Sequence, residues 1–127
     1  MLNINLGRAG EFLALHILET MDLRSVHVDM EHDDLWVKNE AGEIFRCQVK
    51  SCAKPSPVSH QRPLSPKYQY QLRNSQEYDG VFLFVASDIK LMIARTWDEV
   101  SCKTFKIKPN VFTEAEQTSS IKRNFNL

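Results

Sequence analysis

Three separated sets of residues in this 127-residue chain have the types needed for hydrolysis at a phosphate: Glu11, Asp34, and the tripeptide Gln48-Val49-Lys50. A hard cation such as Mg²⁺ takes oxygen ligands, and two carboxylates with a backbone carbonyl leave positions for waters and a phosphate oxygen. A lysine beside them can orient the attacking water and offset charge on the phosphate. Gln48 and Lys50 lie two residues apart, so on a strand they project to the same face. Each feature alone has an ordinary reading: Glu11 complementing a helix dipole, Asp34 as a solvated strand entry, Gln48 and Lys50 as the wet face of an edge strand. Their joint order gives them more weight than any one of them carries.

The elements that must bring these residues together can be read from periodicity. Residues 7–21 place Phe12, Leu13, Leu15, Ile17, Leu18 and Met21 on a broad apolar helical face, with Glu11 in line with Leu15 and Leu18. Residues 25–29 form a short candidate strand. Residues 34–38 alternate toward a turn at Asn39-Glu40-Ala41-Gly42, and residues 43–52 return as an antiparallel partner. On that partner Phe45, Cys47 and Val49 face one way, and Arg46, Gln48 and Lys50 the other.

Pro55, Pro57 and Pro63 make residues 53–64 a loop, and residues 55–66 are expected to form an arm that orders on substrate or on a partner subunit. Ser65-Pro66 predicts an N-cap and first-turn proline for a helix to about Ser75, carrying Lys67 and Arg73. The continuous apolar run 81–86 reads as a strand buried on both faces, with residues 90–95 as its neighbour. Thr96 and Thr113 each start a capping-box pattern, so a short helix should follow each. This order implies an α/β fold with a mixed central β-sheet flanked by helices, in one domain spanning residues 1–127.

Sixteen basic residues balance sixteen acidic ones, which by itself argues against nucleic acid as a partner. The distribution argues the other way. Residues 1–44 hold nine acids against three bases, residues 45–127 thirteen bases against seven acids, and residues 46–73 contain no carboxylate at all. Arg46, Lys54, Arg62, Lys67 and Arg73 in that stretch are the candidate DNA contacts, with Lys103, Lys106 and Lys108 secondary. The three cysteines and four histidines show no zinc-ligand or disulfide spacing. No apolar run reaches membrane-helix length and residues 1–10 lack signal-peptide character, so a soluble, cytoplasmic protein is expected, with no membrane partner.

Gly7-Arg8-Ala9-Gly10-Glu11, then Asp34-Leu35-Trp36-Val37, then Arg46-Cys47-Gln48-Val49-Lys50-Ser51 resemble the PD-(D/E)xK nuclease superfamily, in the branch of group I intron homing endonucleases and archaeal-type Holliday junction resolvases. That resemblance spans about residues 7–95 and implies a restriction-endonuclease-like α/β/α fold and a Mg²⁺-dependent DNA endonuclease, with Mn²⁺ able to substitute. By the same resemblance Glu11, Asp34, Gln48 and the Val49 carbonyl would surround the metal, and Lys50 would serve the nucleophilic water. Asp34 rather than Asp33 fits the acid that precedes the apolar residues of its strand. Gln48 departs from the usual carboxylate, although Gln-Val-Lys is a familiar form of this motif in the homing branch. A homodimer or larger symmetric assembly is expected, since cutting two strands is most simply done by two sites about a dyad. The competing readings are a DNA-binding module or an assembly protein that keeps the fold without hydrolysis.

Overall fold

The structure, a computed structural model, describes residues 2–28, 30–57 and 65–127. The chain begins with helix α1 (Asn3–Thr20) and continues through β1 (Arg24–His27), β2 (Leu35–Lys38) and β3 (Ile44–Cys52). It then forms β4 (Tyr68–Gln71), β5 (Val81–Ala86), β6 (Leu91–Thr96), α2 (Trp97–Val100), β7 (Thr104–Ile107) and α3 (Glu114–Asn124). A five-stranded mixed sheet has the order β1-β2-β3-β5-β6, with β3 and β5 parallel and the other neighbours antiparallel. β4 and β7 pair separately as a two-stranded antiparallel ribbon.

Two cores explain this layering. Ala14 and Leu18 from α1 and Ile121 and Phe125 from the C-terminal region close over Leu35, Val37, Cys47, Leu83 and Val85 on one face of the sheet. On the other face the ribbon's Tyr68, Tyr70 and Ile107 cover Phe82, Phe84 and Ile93, with Trp97 and Val100 of α2 packed alongside. Every residue of β5 is buried, as its uninterrupted apolar run requires of a strand covered on both sides. The helix starts after both threonines are present: Glu99 Oε1 accepts from the Thr96 amide at 3.0 Å at the start of α2, and the Thr113 hydroxyl accepts from the Glu116 amide at 3.0 Å.

Several sequence expectations need correction. Residues 65–75 do not form a helix, and Lys67 and Arg73 do not ride on one. Tyr68 and Tyr70 alternate with Gln69 and Gln71, and pairing with β7 lets the strand bury both rings, which outweighs the local Ser65-Pro66 signal. β7 itself is an element with no counterpart in the sequence reading. α1 starts four residues earlier than residue 7, with Leu6 N donating to Leu2 O at 3.0 Å, and Phe12 is exposed rather than part of the core face. Among the described residues no helix is long and apolar enough to cross a membrane.

Candidate active site

The hairpin β2–β3 sets the geometry. Leu35 pairs with Cys47, and just before that pair Asp34 N donates to Cys47 O at 2.8 Å, which puts Asp34 across from the Gln48–Val49 segment. The Asp34 carboxylate then accepts from Val49 N at 2.8 Å, so one of its oxygens is fixed against the backbone of the next strand. Gln48 and Lys50 leave β3 on the face opposite the buried Cys47.

Glu11 arrives from α1, and Gly10 determines how close that helix comes. A Cβ at Gly10 would collide with the Ser51 hydroxyl of β3, so the helix reaches this distance because residue 10 has no side chain. Burial, and then the charge of Asp34, push the Glu11 carboxyl above its usual range; His27 and Arg8 pull it back. His27, whose Nδ1 lies 3.5 Å from Glu11 Oε1 and whose ring meets Phe12 edge-on at 5.0 Å, braces Glu11 from β1. Its position at the end of a short strand offered no sequence signal for this role.

Lys50 is partly buried. Burial lowers its ammonium pKa, and the Asp34 carboxylate works against that. Gln48 is buried, and its Oε1 has no hydrogen-bond partner among the described residues. Among the described residues no three His, Cys, Asp or Glu side chains converge as a metal-binding group. The available donors are the oxygens of two carboxylates, one amide and one backbone carbonyl, an all-oxygen set that suits a hard cation such as Mg²⁺ better than zinc, whose sites are built chiefly from Cys and His. The partnerless Gln48 oxygen supports the fit from the structure itself.

Asp33 and Asp34 are sharply distinguished. Asp33 is buried, accepts from Trp36 Nε1 at 2.9 Å and from Tyr78 OH at 2.7 Å, and has Arg46 Nη1 at 3.6 Å. Burial alone would raise its pKa, but those hydrogen bonds and the Arg46 charge outweigh it and hold the carboxyl below its ordinary value. Its acceptors are spent within the fold. Arg46 is likewise engaged, by Asp33 and in an ion pair with Asp79, so its charge, alone among the described candidate contacts, is offset by neighbouring carboxylates.

A second wall of the site comes from the segment after β4. Lys50, Gln71, Arg73 and Asn74 line a cleft of about 390 Å³, and Arg46, Gln48, Asn74, Ser75 and Tyr78 are among those lining a smaller one of about 200 Å³. Asn74 borders both, a position the sequence reading missed because it placed residues 65–75 in a helix. Leu72, Ser75 and Tyr78 anchor this wall at every third residue, with Ser75 N donating to Leu72 O at 3.0 Å and Tyr78 N to Ser75 O at 3.3 Å. A depression of about 540 Å³ around Trp36, Ile44, Arg46 and Gly80 lies beside this region and includes none of Glu11, Asp34, Gln48 or Lys50.

Of the other candidate contacts, Lys54 and Arg73 are exposed and Lys67 is half-buried. Arg62 and the centre of the proposed arm, residues 58–64, lie outside the described residues. The described ends of that segment are held together, since Ser56 and Lys67 exchange two backbone hydrogen bonds of 2.9 Å and Gln69 Nε2 donates to Ser56 Oγ.

No protein-family model and no curated protein matches this chain. Among solved structures it is similar to the bacterial homing endonuclease I-Ssp6803I, with 12% identity, a TM-score of 0.66, and coverage of 98% of this chain and 88% of that one. The class defined by this likeness is one of fold: a mixed α/β sheet flanked by helices, as in a homing endonuclease.

Proposed function

We propose that this chain is a Mg²⁺-dependent DNA endonuclease of the PD-(D/E)xK class. The observation that carries the reading is the hydrogen bond from Val49 N to the Asp34 carboxylate, which seats Asp34 against the strand that carries buried Gln48 and Lys50, while α1 with Glu11 approaches the same strand at Gly10. The likeness of fold to a bacterial homing endonuclease supports it.

In this reading Glu11, Asp34, Gln48 and the Val49 carbonyl would hold Mg²⁺ or Mn²⁺, which would supply Lewis-acid polarisation of the scissile phosphate. Lys50 orients the attacking water, whose oxygen forms the new bond to phosphorus as its proton passes to solvent, and the lysine's positive charge offsets the charge that builds on the phosphate as the P–O bond to the leaving oxygen breaks and that oxygen takes a proton from solvent. Asp34, fixed by the Val49 amide, presents its carboxylate without rotamer loss on binding. Lys54, Arg62, Lys67 and Arg73 contact the DNA backbone. Each chain carries one such site, so cutting both strands calls for two copies about a dyad.

A second reading, a DNA-binding module without hydrolysis, draws on one observation: an amide at residue 48 contributes no charge, leaving two carboxylates for the cation. Incubation with duplex, branched and single-stranded DNA in Mg²⁺, Mn²⁺ or EDTA decides between them, with Lys50→Ala as control. Cleavage that needs the cation and Lys50 establishes the nuclease; metal-independent binding without cleavage establishes the module. Absence of both binding and cleavage overturns the two together.

A further inference from the structure

We infer that the β4–β7 ribbon is a reading element that enters the DNA major groove and contacts base edges through its outer face. The inference rests on the nuclease reading above for its substrate, and concerns a separate surface. The inner face of the ribbon is committed to the core, where Tyr68, Tyr70 and Ile107 are buried. Because side chains alternate along a strand, Gln69, Gln71, Thr104 and Lys106 stand on the other side.

The register groups these four into two cross-strand pairs, Gln69 opposite Lys106 and Gln71 opposite Thr104, with Thr104 Oγ1 donating to Gln71 Oε1 at 3.1 Å. The outer face thus carries amides, a hydroxyl and an ammonium, and no carboxylate. Hydroxyls and amide N–H groups can also donate to phosphate oxygens, but a phosphate offers no donor for an amide oxygen to accept from. Side-chain amides carry a donor and an acceptor together, the combination that distinguishes base edges in the major groove.

The ends of the ribbon are basic. Residues 67 and 108 flank the Tyr68–Ile107 pair at one end, and Lys103 and Arg73 sit at the other, where Leu72 N donates to Lys103 O at 2.7 Å. At ~3.3 Å per residue the two basic ends lie roughly 17 Å apart. That span lets them meet the phosphates on either side of a major groove about 12 Å wide, which admits a two-stranded ribbon. Gln71 also lines the cleft over Lys50, so the outer face runs directly into the candidate active site. A duplex whose phosphate reaches Lys50 must therefore pass beside the ribbon.

The test is selection of bound duplexes from a randomised DNA library, with Ca²⁺ replacing Mg²⁺ to prevent cutting, for the wild-type protein, Gln69→Ala/Gln71→Ala, and Gln69→Arg. The wild-type protein should select a preferred site. The double variant should lose at least tenfold discrimination at two or more adjacent positions while keeping the salt slope of binding, and Gln69→Arg should shift one position toward guanine. Wild-type binding without base preference, or an unchanged preference in both variants, overturns base reading and leaves the nuclease reading standing. No binding by the wild-type protein to any duplex overturns base reading; the nuclease reading falls with it only if branched and single-stranded DNA are also neither bound nor cut.

Discussion

The Asp34 carboxylate accepts a hydrogen bond from the Val49 amide at 2.8 Å, which joins the first residue before β2 to the middle residue of the Gln48-Val49-Lys50 tripeptide. One hydrogen bond thereby sets the spacing between the acid and the two side chains that flank Val49. Asp34→Asn keeps an oxygen able to accept from Val49 N but removes the charge. Cleavage should fall by at least about 100-fold in Asp34→Asn and in Lys50→Ala, with circular dichroism and thermal midpoint close to wild type. Near wild-type cleavage in either variant would remove these residues from the chemistry.

Asp33 should behave in the opposite way. Asp33→Ala strands the Trp36 indole N–H and the Tyr78 hydroxyl and deprives Arg46 of a buried partner, at a cost of roughly 3 kcal/mol of stability. The folded-state pKa of Asp33 lies below its ordinary value near 3.8, so its contribution is fully present above that value. It is lost as pH falls through the lower folded-state value. Urea titrations of wild type and variant should therefore differ most at neutral pH and converge in acid. A constant difference across pH would show that the ionised form of Asp33 is not what stabilises the fold.

The residues of the candidate site could be singled out because they lie on short-range patterns. The period-two alternation of residues 43–52 places Gln48 and Lys50 together, and the helical register places Glu11 with Leu15 and Leu18. The ribbon was not legible. Residues 68–71 and 104–107 are separated by more than thirty positions, and each is only four residues long, too short for periodicity to outweigh a Ser-Pro helix signal. The same long-range pairing explains why Asn74 and the wall of the Lys50 cleft could not be read locally. Arg46 shows a different limit: composition marks it as a cation, and only the fold brings Asp33 and Asp79 against it.

Gly10 sets the approach of α1 to β3, and with it the position of Glu11. Gly10→Ala should cost about 1–3 kcal/mol through overpacking against Ser51 and lower cleavage by displacing Glu11. Ser51 Oγ is buried without a hydrogen-bond partner, so Ser51→Ala removes the colliding atom at little cost. The double variant Gly10→Ala/Ser51→Ala should therefore recover stability and activity together. Recovery of neither would show that the helix is positioned by other contacts.

Gln48→Glu tests the metal site from the other side. A third carboxylate beside Asp34 raises the charge of the donor set, so the Mg²⁺ concentration for half-maximal cleavage should fall on the order of tenfold. The same change buries a charge, so without metal the variant should be less stable than wild type. Mg²⁺ should then raise its thermal midpoint more than that of wild type. Unchanged Mg²⁺ dependence in both measurements would remove Gln48 from the ligand set.

The basic stretch makes a prediction about salt. Removing one cation that meets a phosphate should reduce the slope of log binding constant against log salt by about one unit, because fewer counterions are released. Lys54→Ala, Lys67→Ala and Arg73→Ala should each do so, and adding Arg62→Ala should extend the series. Arg46→Gln should instead lower the thermal midpoint with little change in slope, since its guanidinium is already paired with Asp33 and Asp79. The comparison separates a cation that meets DNA from one the fold has consumed. A slope unaffected by the combined Lys54, Arg62, Lys67 and Arg73 substitutions would make the stretch a solvated face, and a slope reduced by a full unit in Arg46→Gln would mean that DNA displaces its carboxylate partners.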